Sequence, residues 1–299
     1  MRLANLSGHA TLLNSAAAID VADASGGRFG PEIQSLYPQW EDFRAWADGT
    51  GGGAPADVGS RRGDPGGARD MTQSASDPGG GAGSPAPAPT QVFGIGRNYR
   101  EHAAETGSEV SEIPATFTKY PTCLTGDHAE VILPSSSVDW EVELVVVIGT
   151  RAWRVTEADG WRHVAGLTIG QDLSERRVQF AAWSQFSLGK SYPGFGPMGP
   201  ILVTPDELAH PDDLAISCQV NGETVQHSRT SEMVFGVARL IAELSAIVPL
   251  LPGDVIFTGT PAGVGFARTP PRFLVPGDVI TSTIEGIGTL TTRCVASDR

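Results

Sequence analysis

Cysteine is scarce here, and what there is lies scattered. Cys123, Cys218 and Cys294 are odd in number, far apart and never in a CxxC pair. That argues against a disulfide framework and a thiolate zinc site and leaves three reduced structural thiols. Basic runs are also missing. The 21 Lys and Arg face 34 Asp and Glu, a formal net charge of −13, so no nucleic-acid partner is expected. No apolar run approaches the roughly 20 residues that a bilayer span needs. The first stretch, MRLANLSGHATLLNSAAAID, has no continuous apolar core of the kind a secretory signal carries. These absences set the expectation of a cytoplasmic protein with no membrane partner. GxSxG, HExxH and GxxxxGK[ST] do not occur, which removes a serine elbow, a zincin helix and a phosphate loop.

What is present divides into three stretches. Residues 1–48 read as a small N-terminal module with strand-like pieces at Met1–Leu6, Ala10–Leu13 and Ala17–Val21, then a helix over Gln39–Ala47. Residues 49–90 are dense in Gly, Pro, Ser and Ala with almost no large apolar side chain. Nothing in them could offset the entropy of ordering, so a flexible linker is expected. Residues 91–299 are a chain of short β-like runs divided by Pro/Gly turns, such as Glu130–Leu133, Val142–Ile148, Ala215–Val220, Val255–Thr258 and Val279–Glu285. Helical patterning is confined to Tyr99–Thr106, Ser174–Trp183 and Met233–Ser245. Strands outnumber helices and do not alternate with them, which predicts an α+β, mostly β domain rather than a doubly wound sheet. LPGDVIF (251–257) and VPGDVIT (275–281) each read as a Pro-Gly-Asp turn feeding a strand.

The segment VDWEVELVVVIG, 138–149, is the most informative. In a strand, residues two apart share a face, so Asp139, Glu141 and Glu143 lie together. The run then continues apolar on both faces, as in a strand that enters the interior. Acids at the mouth of such a strand are either a solvated edge or a metal site, since buried like charges must be paired, protonated or metal-bound. Further along, His102 and Glu105 in GRNYREHAAE lie three apart on one helical face, a spacing that lets a carboxylate orient an imidazole as a general base; it also suits a plain surface pair. In GQDLSERR, Asp172 is either a helix N-cap, with Glu175 three residues on, or a ligand at a strand end. No other lysine occurs between Lys119 and Arg229 than Lys190, in a Gly/Pro loop beside Tyr192 and Phe195, where it could hold an anion. Gly259 and Thr260 of TGTP could present N–H groups and a hydroxyl to an oxyanion.

In order and spacing, GRNYxxHxxE, DWEVELVVVIG, GQDLSER, LGKSYPGFGPMGP, VNGE and PGDVIFTGTPAGVG together closely resemble the fumarylacetoacetate hydrolase family, over roughly residues 91–294. The resemblance implies that family's mixed β-roll, a homodimer, and a divalent metal, Mg²⁺ or Mn²⁺, held by Glu141, Glu143 and Asp172. It implies catalytic roles for His102, Glu105 and Lys190, and substrate contacts from Gln179, Gly259 and Thr260. The family's hydrolases proper carry a further metal-binding aspartate near Ile95 or Gly96, where this chain has no carboxylate, which points to the bacterial three-carboxylate branch. The implied substrate is a small 2-oxo or β-diketo acid, acylpyruvate- or fumarylacetoacetate-like. The expected reaction is hydrolysis of a C–C bond through a metal-stabilised enolate, with isomerase, hydratase or decarboxylase chemistry, or mere small-molecule binding, as alternatives.

Overall fold

The computed structural model describes residues 1–14, 17–51, 81–181 and 185–297. A mixed sheet of ten strands runs, in spatial order, Ala18–Asp20, His9–Leu13, Arg2–Leu6, Gly196–Val203, Val164–Gln171, Val142–Ile148, Val255–Phe257, Val92–Gly96 and Ala115–Thr118, with the short Leu124–Thr125 beside Gly196–Val203. A five-stranded sheet is ordered Glu223–Arg229, Ala215–Val220, Val279–Ile284, Gly288–Ala296 and Ala129–Leu133. Both sheets are open, helices are few, and the fold is strand-dominated as the patterning predicts.

Val142–Ile148 lies near the middle of the large sheet and is buried along its whole length. Its alternate residues serve two cores. Val142, Leu144, Val146 and Ile148 pack in a cluster with Ile216, Cys218 and Ile280 of the smaller sheet. Val145 and Val147 belong to a second cluster with Leu3, Tyr37, Trp40 and Phe43. The N-terminal strands therefore do not stand apart: Arg2 pairs with Val203, which extends the large sheet. The helix Trp40–Gly51 and its aromatic neighbours cover one face of that sheet, with Phe29 and Phe43 edge to face at 5.4 Å. Of the glycine-rich stretch 49–90, residues 52–80 lie outside the described residues. Its last ten residues pack on the module: the Tyr37 hydroxyl donates to the Pro85 carbonyl at 2.6 Å, and the Asn5 amide donates to that of Ser84 at 2.9 Å.

All four expected helices differ in their bounds, the N-terminal one being Trp40–Gly51 rather than Gln39–Ala47. Tyr99 is extended and the helix begins at Arg100, running to Glu105. Ser174–Glu175 is not helical but pairs with Val138–Asp139 as a two-residue ribbon, and the helix is Arg176–Ala181. The C-terminal helix is Val237–Ser245, preceded by Gly236. Both Pro-Gly-Asp turns form with the glycine at positive φ, and the aspartate accepts the N–H three residues back, Leu251 for Asp254 and Val275 for Asp278.

Candidate active site

The acidic cluster follows from strand pairing. In the antiparallel pair, Val142 sits opposite Gln171 and Glu143 opposite Gly170. The next residue, Asp172, therefore arrives beside Glu141, and its N–H donates to the Glu141 carbonyl at 2.9 Å. One carboxylate oxygen from each of Glu141, Glu143 and Asp172 lies within 4.8 Å of the other two, and all three side chains are buried. Asp172 is not the helix N-cap that its context allowed. The helix starts four residues later, and Glu175 caps it by accepting the Val178 N–H at 2.6 Å.

Three buried cations face these acids. Lys190 Nζ donates to Glu141 Oε2 at 2.7 Å, Asp172 Oδ2 at 2.6 Å and Ser174 Oγ at 2.8 Å. Lys119 Nζ donates to Asp172 Oδ1 at 2.6 Å and to the carbonyls of Lys190 and Phe195. Arg176 forks between Asp139, which it meets at 2.6 and 2.9 Å, and Glu141 at 2.8 Å. Asp139 does not share the strand expected from the sequence: the run breaks at Trp140–Glu141, and Asp139, on the separate short strand Val138–Asp139, is a structural partner that also accepts the N–H groups of Gly265 and Phe266. Burial alone would raise the pKa of Glu141, but Lys190, Arg176 and His102 bring it down to about 2. Glu143 goes the other way. Burial, then the charges of Asp172 and Glu141, push its carboxyl well above the usual range. Among the described residues it has no ion pair; its carboxylate takes the Gly259 N–H at 2.7 Å. The Tyr99 hydroxyl is buried near Glu143 without a hydrogen-bond partner.

This donor set fits a hard divalent cation. Three buried oxygen ligands converge, one of them lacks a counter-charge, and no thiolate or imidazole competes among the three. No carboxylate stands at Ile95 or Gly96, both of which line the adjoining pocket.

That pocket is walled by His102, Glu141, Gln179, Lys190 and Thr260 of the expected residues, with Arg97, Arg176 and the rings of Phe117, Phe180, Phe186 and Phe266. His102 Nδ1 contacts Glu105 Oε1 at 2.7 Å, and Glu105 Oε2 accepts the Gly263 N–H at 2.9 Å, which ties the short helix to the glycine turn. Gln179 accepts from Arg176 at 2.9 Å. Gly259 departs from the sequence expectation: its N–H is directed to Glu143 rather than to the pocket. Its φ of +100° and the nearby Asn98 leave no room for a Cβ. The Thr260 hydroxyl donates to the Val142 carbonyl at 2.9 Å and accepts from Gln226 at 2.7 Å. Lys119, Arg176 and Tyr99 were not singled out from the sequence. A signal for Lys119 existed: it and Lys190 are the only two lysines of the chain, and both are buried here.

Residues 91–295 match the family described as fumarylacetoacetate (FAA) hydrolase C-terminal. The chain belongs to the fumarylacetoacetate hydrolase family. Within it, the chain is 44% identical over 215 residues to the mitochondrial oxaloacetate tautomerase FAHD2A of Homo sapiens, covering 71% of this chain and 68% of that protein. A structure from Mycobacterium smegmatis provisionally described as HpcE is 50% identical, with a TM-score of 0.88 over 100% of both chains. A maleylpyruvate hydrolase from Sphingobium sp. SYK-6, solved with manganese(II) and pyruvate, is 25% identical with a TM-score of 0.75 over 100% of both chains. The family's fold is the one seen here. No helix among the described residues is long and apolar enough to cross a membrane.

Proposed function

We propose that this chain is a divalent-metal-dependent enzyme that converts a small 2-oxo acid to its enolate and returns the proton, a keto–enol tautomerase of oxaloacetate-like acids. The observation that carries the reading is the meeting, on one pocket, of Glu141 from the buried three-carboxylate cluster, Lys190, and His102 backed by Glu105. Sequence reasoning put C–C hydrolysis first; the named tautomerases among the relatives move the weight to proton transfer. Glu141, Glu143 and Asp172 would hold Mg²⁺ or Mn²⁺. When bound, the metal supplies Lewis acidity at the 2-oxo group and takes up the negative charge that develops there.

The chain's own groups do the rest. Lys190, fixed by two carboxylates and Ser174, holds a proton beside the reacting carbons. His102 has Nδ1 committed to Glu105, which leaves Nε2 to accept a proton from substrate or water. Thr260 and Gln179 bound the substrate, and the phenylalanine rings exclude water from the cleft.

A second reading, hydrolysis of an acylpyruvate-like β-diketo acid, is favoured by that same His102–Glu105 pair, since an oriented imidazole can activate water. A homodimer in the cytoplasm belongs to the proposal as well. The test is an ultraviolet assay of metal-stripped protein, with and without Mg²⁺ or Mn²⁺, on oxaloacetate and acetylpyruvate, with pyruvate measured as product. Metal-dependent loss of enol absorbance without pyruvate release supports the tautomerase. Pyruvate release from acetylpyruvate selects the hydrolase. Turnover that persists in chelator would overturn both. Replacing His102 with Gln should slow either reaction by roughly 100-fold or more.

A further inference from the structure

The pocket wall holds three fixed cationic side chains and one imidazole, and three of these four groups are committed. Lys190 and Arg176 are ion-paired to the buried acids, and His102 is bonded to Glu105. The fourth, Arg97, has no carboxylate partner among the described residues and reaches solvent at the pocket. Its backbone is held on both sides. Gly96 pairs with Ala115 in the sheet, and the Asn98 side chain is bonded to the carbonyls of Phe235 and Thr258 and to the Phe235 N–H. Between these anchors Arg97 sits at φ +57°, a left-handed conformation that glycine or asparagine would adopt more cheaply. The arginine is therefore not there to satisfy the backbone. A planar, permanently charged fork with five free N–H donors at the open side of an anion-processing cleft is suited to a carboxylate.

We propose that Arg97 grips the remote carboxylate of the substrate and so makes the enzyme selective for dicarboxylic over monocarboxylic 2-oxo acids. The inference rests on the enolate reading above and adds the substrate's second charge. The floor of the site handles the 2-oxo acid end; Arg97 marks the other end of the molecule.

The experiment compares kcat and KM of wild type, Arg97→Gln, Arg97→Gly and Arg97→Lys, in Mg²⁺, on oxaloacetate (a diacid) and acetylpyruvate (a monoacid). Arg97→Gly keeps the left-handed turn unstrained and so separates loss of charge from loss of fold. The expected result is a rise in KM for oxaloacetate with a fall in kcat/KM of roughly 10- to 100-fold in the Gln and Gly variants. The monoacid should lose far less, and Arg97→Lys should recover part of the diacid rate. Equal losses on both acids, or no loss on either, would overturn the assignment while leaving the enolate chemistry standing. So would a wild type that turns over acetylpyruvate but not oxaloacetate. Silence of the wild type on both acids would remove the premise and the assignment with it.

Discussion

Replacing Glu143 with glutamine should make the metal-free protein more stable, although Glu143 is a buried side chain at the centre of the site. The amide keeps the shape and can still accept the Gly259 N–H. What it removes is a like charge. At the 4.8 Å upper limit of the oxygen spacing, Coulomb's law with an effective dielectric of about 20 gives roughly 3.5 kcal/mol of repulsion for each neighbouring carboxylate. Lys190 offsets part of this, and protonation of Glu143 offsets more. About 1–4 kcal/mol should remain above neutral pH, of the order gained when a buried ion pair gives way to uncharged residues of similar volume. At about 2 °C per kcal/mol, the thermal midpoint should rise by roughly 2–8 °C. The pH dependence has a definite sign. Because folding raises the Glu143 pKa, the folded chain binds its proton more tightly than the unfolded one. Metal-free wild type therefore loses stability as pH rises from the ordinary carboxylate range through the raised value, and E143Q does not. Circular dichroism melts in EDTA between pH 5 and 9 would show the two curves diverging as pH rises. Mg²⁺ should narrow or reverse the gap, since ligand at 100 times its Kd adds about 2.7 kcal/mol to wild type and little to the variant. A variant less stable than wild type in EDTA at pH 9, or a gap that does not change with pH, would refute the claim that Glu143 carries uncompensated charge.

Two other substitutions probe the supports of the site. Lys119→Met should cost about 1–3 kcal/mol in EDTA, because it leaves Asp172 with Lys190 as its one remaining cation and takes the donor from the buried Lys190 carbonyl; urea unfolding measures it, and a loss under about 0.5 kcal/mol would show the pair to be dispensable. Glu175→Gln should cost about 1–2 kcal/mol at pH 7 through lost bonds from Ser135, Ser137 and the Val178 N–H. Those bonds outweigh burial and hold the Glu175 pKa below its ordinary value, so its contribution is present at neutral pH and fades as pH falls through the folded pKa. The difference between variant and wild type should shrink below pH 4, and a constant difference down to that pH would refute the charge-based part of the argument.

Local spacing marked Glu141 and Glu143 as candidate ligands on the acid face, while Asp172 joined them only through the resemblance in motif order. Glu141 stands just before, and Glu143 within, a strand that turns apolar on both faces, and Asp172 directly follows the strand that pairs with it. What local spacing could not reveal were the partners brought in from afar: Lys119 reaches Asp172 across 53 positions, and Arg176 reaches Glu141 across 35. The Asp172 ambiguity had a physical source too. An aspartate followed three residues later by glutamate serves equally as a cap or as a ligand, and only the pairing of Ser174 with Asp139 delays the helix and frees Asp172. The module's place in the large sheet depended on Arg2 meeting Val203, a contact that no periodicity announces. By contrast, the composition of 49–90 did mark a stretch poor in core-forming residues, although Ser84 and Pro85 at its end find backbone-acceptor roles against Asn5 and Tyr37.

Both side-chain amines of this protein sit inside its site, at 0% and 3% exposure. Its outer surface shows water no lysine at all, and every exposed fixed positive side-chain charge is a guanidinium. Acylating reagents, reductive methylation and lysine-seeking crosslinkers therefore find no outward side-chain amine, and immobilisation through side-chain amines would have to breach the cleft. Read in reverse, that is useful. Any mass added to Lys190 by a small amine-reactive probe reports an opening of the pocket, so the labelling rate at one residue becomes a gauge of how often the site admits a visitor and how firmly a bound acid or cation keeps it shut.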